Sequence, residues 1–379
     1  MVVTIRIVAE QAGVSPGTAS RALRGHPQVS PDCMERVRAA AQRLGYRPLR
    51  SHSGRGRPEP LVGKRIAIAM FGIDRTLASL PVVAEAIHGA EEALAEAGAH
   101  PILVNVPHPA EPPSSLRRLK FDGILAKAAL QGDLVRAVMP RIMGTLRETP
   151  LVWLLGRPEG APGDAVDPDD RRVGTLAAEA ILAQGHRRIA IVNPKPDHTL
   201  FAIRCQAVRD CVEQAGGTVA EFHPRGSRGV SFPIQPVMDV SQVLPLVDEA
   251  TENLRRRTTH GSTESPTAIF CPADSIAALV FRALATRGLV AGRDIAVVSC
   301  NHERSLVAGL WPSLATIDVH PQRIGRLAVE LLSRRISGDF SGTEVQVRVS
   351  PTFIPGGSLT RCREAGKAAK RADRGARGS

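Results

Sequence analysis

Small hydroxyl residues and arginines cluster between positions 15 and 24 of this 379-residue chain. Ser15-Pro16 has the form of a helix start, with an N-cap residue followed by proline at the first helical position. The outer face of the predicted helix carries small and basic residues, namely Gly17, Thr18, Ser20, Arg21 and Arg24. Hydroxyls suit DNA phosphates and arginine suits guanine, so this segment is predicted to contact duplex DNA.

Three short helices are predicted to position this face. Apolar residues recur at helical spacing over 5–12, again after Ser15, and over 31–44. Gly13 ends the first helix where the chain reversal needs a residue that tolerates positive φ. Together these elements predict an all-α helix-turn-helix headpiece over residues 1–48. A three-helix bundle without DNA contacts is the alternative that the pattern leaves open.

The same residues carry a family resemblance, in the runs VTIRIVAEQAGVS (3–15), TASRAL (18–23), VS (29–30) and LGYRP (44–48). This segment resembles the headpiece of the lactose/galactose repressor (LacI/GalR) family. The resemblance implies that the second helix lies in the major groove. The implied DNA contacts are Thr4, Ser15, Thr18 and Ser20 at phosphates and neighbouring base edges, Arg21 at a guanine, Pro16 and Gly17 at positions that vary with the operator, and Tyr46 in the last matching run. Ile7 departs from the family, which usually has aspartate there.

A basic linker follows over residues 49–60. The family's hinge helix carries asparagine, alanine and leucine where this chain has Leu49, His52 and Arg55. Gly-Arg-Gly-Arg-Pro over 54–58 resembles instead the core of an AT-hook, whose arginines enter a narrow A·T minor groove. We therefore predict that Arg55 and Arg57 read the minor groove. A flexible linker that adds only nonspecific phosphate attraction remains the alternative.

Charge is concentrated at the two ends of the chain. Residues 1–60 hold ten arginines and four acids, and the basic tail 361–379, which we expect to be disordered, holds seven basic residues and two acids. A basic head and tail on a nearly neutral body are typical of a protein that binds a polyanion. The six cysteines show no zinc spacing, so neither a metal nor a cofactor is predicted. Without a signal peptide or a long apolar run, we expect a cytoplasmic, nucleoid-associated protein that does not bind membranes.

Residues 61–360 alternate apolar runs with helical patterns. Strands are predicted over 65–70, 101–106, 122–126, 150–155, 188–192, 267–271 and 294–299, and helices over 82–97, 170–184, 202–215, 273–287 and 320–336. Apolar strands separated by helices are typical of parallel sheets covered on both faces, with a ligand cleft at the carboxyl ends of the strands. Residues 223–241 are predicted to be an irregular insertion between a strand and a helix.

The resemblance extends into this region through AILAQGHRRIA (180–190), ADSIA (273–277) and WPSLATI (311–317). It implies an α/β effector-binding and dimerisation domain of the periplasmic-binding-protein type, with two parallel-sheet Rossmann-like lobes. On this basis, 61–160 with about 291–320 are expected to form the first lobe. Residues 161–290 with about 321–355 are expected to form the second.

Five residues are candidates for effector binding. Arg204 matches the family's cleft arginine, and Asp274 matches an acid at a helix start. Asn301 replaces the aspartate that grips sugar hydroxyls in the family, which weakens the case for a simple sugar. Phe71 and Asp74 follow the first strand and are expected to line the cleft. The effector is expected to be a small molecule, with sugars and sugar derivatives as candidates.

Catalytic motifs are absent from the sequence, so an enzyme is not expected. His186 is predicted to be a cap or surface residue, and Asp169-Asp170 to serve a helix dipole. The leading hypothesis is a homodimeric transcription regulator, expected to be a repressor, that binds a pseudo-palindromic operator. An architectural protein of A·T-rich DNA is the second hypothesis. An enzyme or transport receptor on the same two-lobed fold is the third.

Overall fold

The structure is a computed structural model that describes residues 5–23, 29–44, 60–73, 80–108, 120–131, 143–225, 232–234, 238–260, 265–340 and 342–362. The chain divides into two compact units, residues 1–58 and 59–379. None of the helices in these described ranges has the length and apolar character needed to cross a bilayer.

The first unit contains three helices: α1 (Ile5–Ala12), α2 (Pro16–Leu23) and α3 (Pro31–Arg43). Small apolar residues form their common core, including Val8, Ala19, Ala22 and Val37, each fully buried. Because these side chains are short, the helices can approach one another closely. Gly13 has a φ of 63° between α1 and α2, as the chain reversal requires.

The first lobe of the larger unit is built on a parallel six-stranded sheet. Its elements are β1 (Arg65–Phe71), α4 (Pro81–Glu96), β2 (His100–Val106), β3 (Gly123–Ala128), α5 (Met143–Glu148), β4 (Leu151–Leu154), β5 (Asp164–Pro168), α11 (Pro321–Ile336) and β11 (Gln346–Val349). The strand order is β11-β5-β4-β3-β1-β2. All five pairings are parallel, so the carboxyl ends of the strands lie along one edge.

The second lobe repeats this plan. Its elements are α6 (Asp170–Ala183), β6 (Arg188–Val192), α7 (Thr199–Gln214), β7 (Thr218–Phe222), α8 (Val240–His260), β8 (Ala268–Phe270), α9 (Asp274–Ala285), β9 (Ala296–Asn301), α10 (Arg304–Val307), β10 (Ala315–Asp318) and β12 (Thr352–Ile354). The strand order is β12-β10-β9-β8-β6-β7, and only the β10–β12 pair is antiparallel. Buried apolar clusters cover both faces of this sheet.

The later segments belong to the opposite lobes from those expected. Residues 291–320 were predicted in the first lobe, yet β9 pairs with β8, which places them in the second. Residues 321–349 were predicted in the second lobe, yet β11 pairs with β5 of the first. Only the last strand, β12, returns to the second lobe. The chain thus passes between the lobes after β5, after β10 and after β11.

Two glycines bring α11 against α4 in the first lobe. A Cβ on Gly89 would collide with the backbone of Gln322, and one on Gly325 would collide with the backbone of Ala86. The two helices therefore cross at backbone contact, which fixes α11 to this lobe. A larger side chain at either glycine could fit only if the helices moved apart.

Candidate functional site

Helix α2 presents the candidate DNA-binding surface. Ser15 caps it, since the Thr18 amide donates to Ser15 Oγ at 3.1 Å and the two hydroxyl oxygens lie 2.9 Å apart. Ala19 and Ala22 anchor the opposite face in the core. Pro16, Gly17 and Arg21 are exposed, so the first turns of α2 offer small residues and a guanidinium to a partner.

The exposed residues are among those predicted to contact DNA, and the contact itself stays a prediction. Ser20 lies within α2, but its side chain falls outside the described residues. Five further predicted DNA contacts also lie outside the described residues, namely Thr4, Arg24, Tyr46, Arg55 and Arg57. The same holds for most of the linker and the basic tail.

The larger unit contains a cavity of about 900 Å³, counting the space at its mouth. It lies at the carboxyl ends of the strands, where parallel α/β sheets bind ligands. The first lobe contributes residues from the ends of β1 and β3 and the start of α4. The second lobe contributes the starts of α7 and α9 and the end of β9. A molecule bound here would contact both lobes.

Arg204 on α7 is the most heavily bonded side chain on the cavity wall. Its Nε donates to Asp170 Oδ1 at 2.7 Å, and its Nη1 donates to the Pro272 carbonyl at 2.8 Å and to Asn301 Oδ1 at 2.9 Å. Asn301 ends β9 with a φ of 105°, which turns the chain beside the cavity. Arg204 and Asn301 were both predicted at the effector site, and the structure brings them together on its wall.

Lys127 faces the cavity from the first lobe. It lies near the end of β3, is 8% exposed and donates from Nζ to the Leu155 carbonyl at 2.9 Å. Burial lowers the pKa of this ammonium group from 10.5 to about 8, although the nearby Asp167 and Asp170 oppose that shift. At neutral pH the wall therefore holds a buried cation.

His198 lies at the start of α7, and its ring stacks on Phe201 with centroids 4.0 Å apart. Its Nδ1 is shielded from solvent and has no hydrogen-bond partner among the described residues. Burial lowers the pKa of His198 well below its ordinary value, and the charges of Lys127, Arg204 and Lys195 lower it further. The imidazole is therefore neutral at pH 7.

A carboxyl group joins the lobes beside the cavity. Glu303 precedes α10 in the second lobe and accepts the Ser275 amide at 3.2 Å and the amide of Val82 in the first lobe. Burial, and then the charge of Asp274, raise the pKa of Glu303 from 4.5 to about 8. The group is therefore largely protonated at neutral pH.

Two of the predicted effector residues lie behind the wall. Asp274 is fully buried and accepts from the Ser299 and Thr316 hydroxyls and the Glu303 amide, so its oxygens hold the loop after β9. Phe71 is fully buried against Trp153 in the first core. Neither side chain lines the cavity, because core packing and internal bonds occupy both, and their part in effector binding stays a prediction. Asp74 lies outside the described residues.

Sequence reasoning missed Lys127, Lys195, His198 and Glu303 on the wall. One signal was available: Lys127 interrupts the otherwise apolar run of β3, and buried lysines are rare. Within the described ranges, no group of three His, Cys, Asp or Glu residues could hold a metal ion.

The irregular segment 223–241 contributes to the cavity. The Ile234 amide donates to the Gly72 carbonyl of the first lobe at 2.8 Å, and Ile234 packs on the first core. Met238 packs instead on the second core. Both side chains line the cavity. The segment thus reaches from one lobe to the other and supplies part of an apolar wall.

Comparisons with known proteins match both units. Residues 4–49 match the bacterial regulatory proteins of the lacI family, and residues 178–359 match a periplasmic binding protein-like domain. The chain is similar to the HTH-type transcriptional regulator CelR of Thermobifida fusca, with 26% identity over 353 residues, 89% of this chain and 92% of that protein. It is also 25% identical to the ribose operon repressor of Escherichia coli K12, over 88% of this chain and 93% of that protein.

Among solved structures, the lac repressor dimer bound to operator and the anti-inducer ONPF shares the fold. The TM-score is 0.57 at 19% identity, over 95% of this chain and 100% of that chain. The resemblance and the two-part fold predicted from the sequence are thus confirmed. With a headpiece and a binding domain that match in the same order along one chain, this protein belongs to the lacI family of bacterial transcription regulators.

Proposed function

We propose that this protein is a homodimeric repressor that binds a pseudo-palindromic operator. A small molecule in the cavity would lower or raise its affinity for that operator. The observation that carries this proposal is a cavity with residues of both lobes on its wall, in a chain that also holds an exposed helix-turn-helix surface. The names of the relatives, which include a ribose operon repressor, support a sugar or sugar derivative as effector.

The mechanism follows from the placement of the cavity. A ligand that contacts both lobes binds their closed arrangement better than their open one, and only this difference in affinity can shift the equilibrium. In a twofold dimer, closure would change the spacing of the two headpieces and hence the fit to two half-sites. The cavity would bind its ligand without catalysing a reaction. We further propose that the protein acts in the cytoplasm, on chromosomal DNA.

Self-association has a candidate surface on the second lobe. Trp311 is 90% exposed, although tryptophan side chains are highly buried on average. The lac repressor structure that shares this fold is a dimer. We propose that Trp311 lies in the interface between two copies of this chain.

Operator selection from random duplexes, followed by footprinting of the full chain, tests the proposal. A protected pseudo-palindrome is expected, and Arg21→Ala should weaken binding by roughly tenfold or more, since a bidentate guanine contact contributes about 1–3 kcal/mol. Arg43→Ala, which removes an exposed arginine from the end of α3, is the matched control and should have a smaller effect. Loss of binding that is equal for both variants would point to nonspecific phosphate attraction.

The same selection separates the architectural alternative. Uniform footprint protection of A·T-rich DNA, without a palindrome, would favour the architectural protein. For the linker, we propose that Arg55 and Arg57 read the centre of the operator in the minor groove. Arg55→Ala with Arg57→Ala should then weaken binding to operators with A·T centres much more than to operators with G·C centres.

A further inference from the structure

Three cations line the same cavity. Lys127 comes from β3 of the first lobe, whereas Lys195 and Arg204 come from the second. His198 lines the cavity with them, and the charge of each cation lowers the pKa of its ring. Bringing like charges together in a partly buried site is costly unless an opposite charge is near.

The acids nearby are held by bonds of their own. Asp170 accepts from Arg204 at 2.7 Å. Asp167 accepts the Gly156 amide at 2.6 Å and the Gln346 side chain at 3.0 Å, and neither aspartate lines the cavity. Glu303 is the one carboxyl group among the described lining residues, and its raised pKa leaves it largely uncharged at pH 7. Because Asp170 is already paired with Arg204, the positive charge on the cavity wall is carried mainly by the two lysines, Lys127 and Lys195.

The rest of the cavity is apolar. It is lined by aliphatic side chains from both lobes and from the irregular segment 223–241, among them Ile73, Leu80, Leu130, Ile234 and Met238. Phe201 is the one aromatic side chain besides His198 among the described lining residues, and its ring is already stacked on that imidazole. A ligand whose surface is mostly hydroxyl groups would make few apolar contacts with this wall.

We propose that the effector is a small organic acid, whose carboxylate or phosphate group binds between Lys127, Lys195 and Arg204 and whose apolar body contacts Ile234 and Met238. This inference rests on the proposed function, since it concerns the same cavity, and it replaces the neutral sugar suggested by the relatives' names with an acid. Lys127 lies in one lobe and Arg204 in the other, so the acidic group would join the lobes by bonds to both.

Thermal shift of the full chain with matched pairs of probes tests this inference. The pairs are phenylacetate with phenylacetamide and D-gluconate with D-glucose, and glucose 6-phosphate separates phosphate from carboxylate recognition. The acids are expected to raise Tm more than their neutral partners, with phenylacetate above gluconate because of its apolar body. The inference is overturned if no acid stabilises more than its partner, or if glucose stabilises as well as gluconate.

Variants of Lys127 sharpen the test. Lys127→Met should weaken the affinity for the acids by roughly 10- to 100-fold, the range expected for a lost charged hydrogen bond, without weakening any binding of the neutral probes. Lys127→Arg should retain most of the affinity, which also shows that the position tolerates exchange. Lys120→Met removes an exposed lysine and should change nothing. Equal affinities for the wild type and Lys127→Met would contradict the inference.

The outcome is separable from that of the proposed function. If neutral sugars stabilise the protein and change its operator affinity, the regulator proposal stands and the organic acid is wrong. If acids stabilise the protein through Lys127 but no operator is found, the ligand class stands and the repressor proposal fails.

Discussion

Replacing Glu303 by glutamine is expected to remove a loss of stability that the wild type shows as pH rises from about 5 to about 8. Glu303 is 4% exposed, and burial next to Asp274 raises its pKa from 4.5 to about 8. Between these two values the native protein keeps a proton that the unfolded chain has released, so the free energy of unfolding falls as pH rises. From pH 5 to pH 8, three pH units at about 1.36 kcal/mol each correspond to roughly 4 kcal/mol.

The glutamine side chain also lowers stability, because Glu303 accepts hydrogen bonds from two backbone amides and glutamine offers only one acceptor oxygen. One lost hydrogen bond is worth about 1 kcal/mol. Glu303→Gln should therefore be about 1 kcal/mol less stable than the wild type near pH 5, and about 3 kcal/mol more stable above pH 8. The two stability curves are expected to cross.

Urea unfolding of the full chain at several pH values between 5 and 9 measures this difference. The transition of the larger unit is followed, since Glu303 lies in it. Glu148→Gln replaces an exposed glutamate of the first lobe and serves as control, with a curve parallel to that of the wild type. Parallel curves for Glu303→Gln as well would refute the assignment of a buried, protonated carboxyl at this position.

Three further predictions concern other parts of the chain. Ser15→Ala removes the cap of α2 and should destabilise the headpiece by about 1 kcal/mol, seen as roughly fivefold faster hydrogen exchange of its protected amides. Arg204→Met leaves Asp170 buried without its partner and should lower the free energy of unfolding in urea by about 3–5 kcal/mol. Adding Asp170→Asn should recover part of this loss. A double variant that is equally unstable would argue against the ion pair as the cause. Trp311→Ala should weaken self-association at least tenfold in sedimentation equilibrium, whereas Leu103→Ala, another exposed apolar residue, should leave it unchanged.

The strands that the sequence predicted are those made of apolar residues. All seven predicted runs contain a strand of the structure, because burial on both faces requires continuous apolar side chains. Five strands were missed, and one of them, β5, reads DAVDP with its Asp164 fully buried. Arg335 of α11 donates to Asp164 from Nε at 2.8 Å, 171 positions later in the chain. A local pattern cannot reveal a partner at that distance.

The exchange of segments between lobes has the same cause. Sheet membership depends on which strand edges pair, and the pairing of β9 with β8 is a nonlocal property. The alternation of strands and helices is identical whichever lobe a segment joins. The family resemblance predicted two lobes and three passages of the chain between them. Only the strand pairings of the structure show which lobe each segment belongs to.

Side-chain environments at the candidate site were predicted unevenly. Asp169 was expected to serve a helix dipole, and it caps α6 by accepting the Arg172 amide at 3.0 Å. Its neighbour Asp170 is not a dipole residue alone, since it forms the buried pair with Arg204. His186 was expected to be a cap or surface residue, but it is 4% exposed and its ring bonds to the Thr267 hydroxyl and the Thr360 carbonyl. For Asp170 and His186, the deciding partner lies far along the chain.

The positions of the cations connect ligand chemistry to motion. Lys127 is bonded only within the first lobe, to Leu155, and Arg204 only within the second, among the bonds between described residues. An acidic group placed between them gains both contacts only when the lobes are close together. Its affinity for the closed arrangement then exceeds that for the open one by the contribution of one charged contact, roughly 10- to 100-fold. A neutral ligand held by one lobe would gain no such difference, so it could fill the cavity without changing the headpiece spacing.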